Sequence, residues 1–147
     1  MKKTNKGFSL LELLIVVAII LIIATIAIPS LLRSRQAANE SAAVATLRTI
    51  NTAEVTYLSS SGGNYGNLAA LVSVGLLDST FAATPARKGG YDYLVSWSSS
   101  SPTDYTAYAE PASSNTGRYG YYSIPDAVVR YSTNSATSNG KPGEAVN

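Results

Sequence analysis

Glu12 is the residue whose chemistry most needs an explanation. It is the only ionisable side chain among the 21 residues from Phe8 to Ile28, which are otherwise apolar or small and polar. A carboxylate at membrane depth costs about 2–3 kcal/mol even on lenient insertion scales, so an unpaired one is unfavourable there. If the chain is cut between Gly7 and Phe8, the new α-amino group of Phe8 lies one helical turn from Glu12, on the same face and with the opposite charge.

The composition excludes several kinds of catalytic and metal site. The sequence has no His and no Cys, which removes Ser-His-Asp and Cys-His catalysis, the His and Cys ligands of zinc, and any disulfide. Five carboxylates could in principle contribute to a calcium site, but no two of them lie close together in a ligand-dense loop. They are Asp78, Asp92, Asp104, Asp126 and Glu144. We therefore predict no enzymatic activity, no metal and no cofactor.

The charge of the chain gives no sign of a nucleic-acid partner. The formal net charge is +2. The basic residues that follow Lys6 are scattered along the chain and form no basic stripe. We therefore infer no direct binding of nucleic acid.

The apolar run has the length of a membrane span. As a helix, residues 8–28 would be about 31 Å long, which matches the hydrocarbon core of a bilayer. A secretory signal peptide has its cleavage site after the apolar region, whereas here the convincing site precedes it, so the span would remain in the mature protein. Lys2, Lys3 and Lys6 favour a cytoplasmic N-terminus, with everything after Pro29 outside the inner membrane.

The first twelve residues resemble a known processing signal. Residues 2–12, KKTNKGFSLLE, are similar to the class III leader and cleavage site of type IV pilins and of the pseudopilins of type II secretion systems. The resemblance implies that residues 1–7 are a leader peptide. It further implies that a prepilin peptidase cuts between Gly7 and Phe8 and methylates the new N-terminus at Phe8.

The same resemblance implies two roles in assembly. Glu12 would neutralise the α-amino group of Phe8 on the adjacent subunit. Pro29 would mark a stretch, residues 21–29, that loosens or melts when subunits pack in a filament. Considered alone, Pro29 could instead be a simple bend or a boundary between two helices, because it lacks an N–H and its ring crowds the carbonyl of Thr25.

The pattern after the span predicts that the helix continues. Residues 30–59 contain no Gly and no Pro, and their apolar residues recur at helical spacing. These apolar positions are Ala43, Leu47, Ile50 and Tyr57 or Leu58. Arg48, Asn51 and Thr52 are predicted to turn away from the apolar stripe, and Glu54 to interrupt it. We predict one helix of about 50 residues, apolar all round in residues 8–28 and amphipathic in residues 29–60.

Residues 61–86 are predicted to form a connecting segment. Gly62-Gly63 would end the long helix, because glycine suits the left-handed position after a helix C-terminus. Asn67 could cap a short helix over residues 68–74, closed by Gly75. Leu76, Leu77 and Phe81 would then anchor the segment on the domain.

Residues 87–131 predict a four-stranded antiparallel sheet. After Pro85 the pattern changes to period two, with Tyr91, Tyr93, Val95 and Trp97 on one face. The strands are expected at residues 91–97, 105–110, 118–124 and 127–131, with a type I turn at Pro125-Asp126. One face of the sheet should cover the amphipathic helix half. The fold class is therefore α+β, the type IV pilin fold that the resemblance implies, and residues 132–147 would be a loose polar tail.

The resemblance predicts a structural role for the chain. It looks like the major pilin of a type IV pilus, processed by prepilin peptidase and assembled through its N-terminal helix into a homopolymer. It would wait in the bacterial inner membrane, be extracted by an assembly platform with its ATPase, and end in an extracellular filament. Adhesion, twitching motility, DNA uptake and secretion are all compatible with such a filament.

Three alternatives remain open. A major pseudopilin of a type II secretion system shares the N-terminus, although such proteins tend to carry acidic calcium-loop residues. A minor pilin often departs from Glu at the position of Glu12, which this chain keeps. A single-pass membrane protein with an extracytoplasmic binding domain would not explain Gly7-Phe8 or Glu12.

Overall fold

The computed structural model describes residues 7–96, 103–132 and 144–145 of the chain. The chain divides into two compact units, Met1–Ser34 and Arg35–Asn147. Helix α1, Leu10–Ser60, forms most of the described part of the first unit and continues into the second. The predicted single long helix is therefore confirmed, and by length and composition it could cross a membrane.

The first unit is a helix without a buried side chain among its described residues. The large apolar side chains from Leu10 to Leu32 are each at least 45% exposed. A helix that is apolar all round is stable only inside an apolar environment. This unit therefore needs lipid or other helices around it.

The second unit has its core between the C-terminal part of α1 and one face of a sheet. Ala43, Leu47 and Ile50 are buried on the helix, as predicted. The strand residues in the same cluster include Tyr91, Tyr93, Val95, Ala107, Ala109 and Tyr121. The predicted packing of the amphipathic helix half on an antiparallel sheet is therefore confirmed.

Three polar residues of α1 are buried, namely Glu40, Asn51 and Glu54, and the position of Asn51 contradicts the prediction. Asn51, predicted to turn away from the core, is 3% exposed, and Glu54, predicted to interrupt the buried stripe, is fully buried within it. The spacing argument considered only apolar residues, whereas a polar side chain can enter a core that offers it hydrogen-bond partners. Arg48 and Thr52 are exposed, as predicted.

The connecting segment follows the prediction closely. Helix α2, Leu68–Ser73, is capped by Asn67, whose side chain accepts a 2.7 Å hydrogen bond from the N–H of Ala70. A short 3₁₀ helix, Ser79–Ala82, follows. Leu77 and Phe81 are buried in the core, with Leu76 partly buried beside them, so all three residues anchor the segment.

The sheet is antiparallel throughout, and each strand pairs with the next one in the chain. Its five main strands are β1 Ala86–Lys88, β2 Tyr91–Ser96, β3 Thr106–Pro111, β4 Gly120–Ser123 and β5 Val129–Ser132. A two-residue strand β6, Glu144–Ala145, pairs with β5 at the edge. The prediction of four strands was therefore wrong.

The prediction missed two strands, and β6 lies within the expected polar tail. The missed strand β1 is short and has no alternating pattern of its own. It forms a hairpin with β2 in which Lys88 faces Tyr91 across Gly89 and Gly90. Both glycines have positive φ, 59° and 78°, which is the requirement of a tight two-residue hairpin turn. The Gly-Gly pair was therefore the signal that could have revealed β1.

Two other strands are shorter than predicted, for local reasons. The backbone N–H of Arg118 donates to the carboxylate of Glu40 instead of to a neighbouring strand, so β4 begins at Gly120. Ala127 has φ of 58°, a left-handed conformation that no strand residue adopts. A turn with a 2.9 Å hydrogen bond from the N–H of Ala127 to the carbonyl of Ile124 precedes β5, at the predicted Pro125-Asp126 position.

Some predictions fall outside the described residues. They concern residues 1–6 of the expected leader peptide, Trp97, most of the serine-rich loop before β3, and residues 133–143 and 146–147 of the expected polar tail.

Candidate assembly site

The helix start places Glu12 against the backbone just after the predicted cleavage site. Gly7, Phe8 and Ser9 precede helix α1. The backbone N–H of Ser9 donates to Oε2 of Glu12 at 3.3 Å, and the N–H of Leu13 donates to the Ser9 carbonyl at 3.2 Å. A serine followed three residues later by Glu is the capping-box pattern of helix N-termini. Sequence reasoning missed this role, although Ser9-Leu10-Leu11-Glu12 carries its signal.

The chain leaves the peptide bond after Gly7 accessible. Gly7 is exposed, and a Cβ atom added to it would meet no atom within 4 Å. The side chain of Phe8 is 80% exposed. Nothing in the described part of the chain therefore covers the bond between Gly7 and Phe8.

Pro29 lies inside a continuous helix. Helix α1 runs through it without a break, so the alternative of a boundary between two helices is wrong. Because proline has no N–H, the carbonyl of Thr25 loses its helical donor. The Thr25 hydroxyl does not replace that donor, since it donates to the carbonyl of Ile22 at 2.7 Å. One backbone bond of the helix is therefore missing at this point.

A second cluster joins the beginning of the second unit's helix to the loop between β3 and β4. The side-chain amides of Gln36 and Asn39 donate to the carbonyls of Ser114 and Thr116, both at 2.9 Å. Glu40 accepts from the backbone N–H of Arg118 at 2.9 Å and from its guanidinium at 3.1 and 3.2 Å. Burial opposes ionisation of Glu40, but the hydrogen bonds from Arg118 outweigh it and lower the pKa of Glu40.

Asn51 lies in a buried hydrogen-bond network with the sheet. Its side-chain N–H donates to Oγ of Ser123 at 2.8 Å, and its oxygen accepts from the Tyr105 hydroxyl at 2.9 Å. Ser123 and Tyr105 are themselves buried. The network fixes the position of α1 against β4 and the start of β3, in a chain that has no disulfide to do so.

Glu54 is the most deeply buried polar side chain of α1. Its Oε2 accepts the backbone N–H of Gly66 at 2.9 Å, while Oε1 has no hydrogen-bond partner in the described part of the chain. Burial raises the pKa of Glu54 to about 7, and the Gly66 hydrogen bond only partly offsets that rise. The carboxyl group of Glu54 thus attaches the loop after α1 to the helix. Its burial is unfavourable for the ionised form of the group.

The described carboxylates do not converge on a metal site. No group of three or more His, Cys, Asp or Glu side chains meets within the described ranges. Three of the calcium candidates are instead paired with basic side chains at 2.5–2.8 Å, namely Asp78 with Lys88, Asp92 with Arg87 and Asp126 with Arg130. Asp104 forms no such pair with a described residue, and the side chain of Glu144 lies outside the described part of the chain.

These features define a class of protein: a subunit with an exposed apolar helix at its N-terminus and a small α+β unit at its C-terminus. Residues 2–28 match the family described as the prokaryotic N-terminal methylation motif. Over 140 residues the chain is 35% identical to the type IV wide pilus major component PilA4 of Thermus thermophilus. That match covers 95% of this chain and 96% of the relative. The chain belongs to the type IV pilin family.

Proposed function

We propose that this chain is the major structural subunit of a type IV pilus. The observation that carries the proposal is the extent of the match to PilA4, a major pilus component, which includes both the N-terminal helix and the C-terminal unit. The protein is a building block in this proposal, and we assign it no catalytic activity.

Processing is the first step of the proposed function. Prepilin peptidase cuts between Gly7 and Phe8 and methylates Phe8. The accessible, non-helical backbone at Gly7 and Phe8 supports this step, as does the match to a methylation motif across this site. Removal of residues 1–7 takes away Lys2, Lys3 and Lys6, and leaves the Phe8 amine as a new positive charge.

Assembly is the second step, and Glu12 is its key residue. Within one chain, Oε2 of Glu12 already accepts the N–H of Ser9, while Oε1 makes no hydrogen bond to the described residues. The Phe8 amine of an adjacent subunit could pair with this carboxylate. Because both groups are buried in a bundle of apolar helices, each would be costly there without the other. The pair would thereby favour one axial register between subunits.

Storage and extraction complete the proposal. The subunit waits in the inner membrane with a cytoplasmic N-terminus, and an assembly platform with its ATPase moves it into the filament. The apolar helix exchanges lipid for neighbouring helices, so its hydrophobic surface stays covered. The missing backbone bond at Pro29 supports residues 21–29 as the stretch that loosens during this packing.

The alternatives are less well supported. A type II secretion pseudopilin shares the N-terminus. The relative that this chain matches over nearly its whole length, however, is a pilus component. A membrane-anchored binding domain leaves Glu12 and the methylation motif unexplained.

Mass spectrometry of fibres sheared from cells tests the proposal. We expect the main fibre subunit to begin at a methylated Phe8 and to end with this chain's C-terminal sequence. A fibre made of another protein, or a mature chain that begins at Met1 or after Ile28, would overturn it.

A further inference from the structure

Two arginines just beyond the apolar run have no partner in the described chain. The described basic residues after α1 are each paired with a carboxylate, namely Arg87, Lys88, Arg118 and Arg130. Arg33 and Arg35 are exposed, and no described carboxylate lies within salt-bridge distance of either. They are therefore available to a partner outside the described part of the chain.

The position of the two arginines along α1 identifies that partner. Arg33 is the first charged residue after Glu12, and Leu31 and Leu32 carry the exposed apolar surface up to it. Arg33 and Arg35 follow Ile28 by about 7.5 and 10.5 Å along the helix. The headgroup region of a bilayer is about 5–7 Å thick on each side of the hydrocarbon core.

The direction of helical side chains brings the guanidinium groups closer still to the headgroups. Side chains on an α-helix tilt toward its N-terminus, and α1 is helical across this stretch. Long basic side chains at the end of a span reach along the helix to the interface. Arg33 and Arg35 are long enough to reach back along the helix toward the level of the lipid phosphates.

We propose that Arg33 and Arg35 bind the phosphates of anionic phospholipids while the subunit is in the membrane. A guanidinium matches a phosphate with two parallel hydrogen bonds, and each basic residue near a membrane surface adds to the attraction for anionic lipid. The inference rests on the membrane-stored subunit of the proposed function. It adds a binding partner and a fixed depth to that state.

Lipid composition around the protein tests the proposal. The full chain is placed in nanodiscs in which phosphatidylglycerol is the minor lipid and phosphatidylcholine the bulk, and the retained lipids are measured by mass spectrometry. We expect phosphatidylglycerol to be enriched relative to empty discs. Five basic side chains flank the apolar run, namely Lys2, Lys3, Lys6, Arg33 and Arg35. In the double variant R33Q/R35Q that enrichment should fall by about two fifths, because two of these five are lost.

Arg48 provides the matched control. It is also an exposed arginine on α1 without a carboxylate partner among the described residues, but it lies about 30 Å beyond Ile28. R48Q should keep the wild-type lipid ratio, and R33K/R35K should keep most of it. Circular dichroism of each variant in the discs confirms that the helix is intact.

The outcomes separate this proposal from the proposed function. Equal phosphatidylglycerol enrichment in R33Q/R35Q and R48Q would overturn the lipid role. If R33Q/R35Q cells also lacked fibres in that case, the partner would be a neighbouring subunit instead. Both faces of a nanodisc meet the same solution, so the result does not depend on membrane orientation, and a negative result would leave processing and assembly untouched.

Discussion

Replacing Glu54 by Gln should remove a pH-dependent loss of stability from the second unit. Glu54 is fully buried, and one of its two oxygens has no partner within the described residues. Its pKa is raised by burial from an ordinary 4.5 to about 7. The native state therefore holds a proton that the unfolded chain releases at lower pH. The contribution of Glu54 to the free energy of unfolding is therefore largest below about pH 4.5. It declines as the pH rises to 7 and changes no further above it.

The size of the effect follows from the pKa values. A pKa of about 7 against 4.5, at 1.36 kcal/mol per pH unit, corresponds to about 3 kcal/mol of unfolding free energy. Few other groups titrate in this window. The chain has no His, and the pKa values of Glu40, Asp78, Asp92 and Asp126 are lowered, which moves their titration toward more acidic pH.

Urea denaturation of a chain that begins at Arg35 measures the difference, since it keeps the whole second unit and omits the apolar helix. Between pH 4.5 and pH 8, the unfolding free energy of the wild type should fall by about 3 kcal/mol relative to that of Glu54→Gln. Glu110→Gln, a change at a half-buried strand position, is the control and should follow the wild type. If the unfolding free energies of wild type and Glu54→Gln changed in parallel across this range, Glu54 would not be a buried acid with a raised pKa. An unfolded wild-type truncation would contradict the core around Leu47 and Ile50.

Three further changes test other parts of the molecule. Gly7→Val should leave uncut precursor with a normally folded second unit, which mass spectrometry detects; efficient cleavage would contradict the site. Glu12→Leu should keep membrane abundance and cleavage but abolish fibres in electron micrographs, and fibres of normal number and length would refute the pairing role. Gly117→Ala should cost about 1–3 kcal/mol in thermal unfolding, because the new Cβ would lie 2.0 Å from the buried Tyr91 hydroxyl. Gly120→Ala, with 3.9 Å to its nearest atom, is the control, and equal losses would refute the packing argument.

The sequence was sufficient for those elements whose signals are local. Helix α1 was predicted from the spacing of its apolar residues. The cap at Asn67 was predicted because its short side chain can accept a free N–H at the start of α2. The alternation of β2 follows from period-two burial, which the structure shows at Tyr91, Tyr93 and Val95. Such patterns are visible in a single segment of the chain because each residue needs only its near neighbours to express them.

Partnerships between distant residues could not be predicted in this way. Asn51 enters the core because it forms hydrogen bonds with Tyr105, just before β3, and with Ser123 in β4, both more than 50 residues away in the chain. Glu40 shortens β4 by binding Arg118 across a separation of 78 residues. The helix cap formed by Glu12 could have been predicted from Ser9, three residues before it. The proposed assembly partner of Glu12, the Phe8 amine, belongs to a second subunit and cannot be inferred from contacts within one chain.

The order of the strands has a consequence for how the second unit folds. Because each strand pairs with its predecessor in the chain, the sheet forms by closing loops between consecutive strands, and such local contacts favour fast folding. The part of α1 that completes the core precedes every strand. During synthesis from the N-terminus, each new strand can therefore join an edge that already exists and pack on a helix already made. Progressive truncation from the C-terminus should remove strands from that one edge, in order, starting with β6.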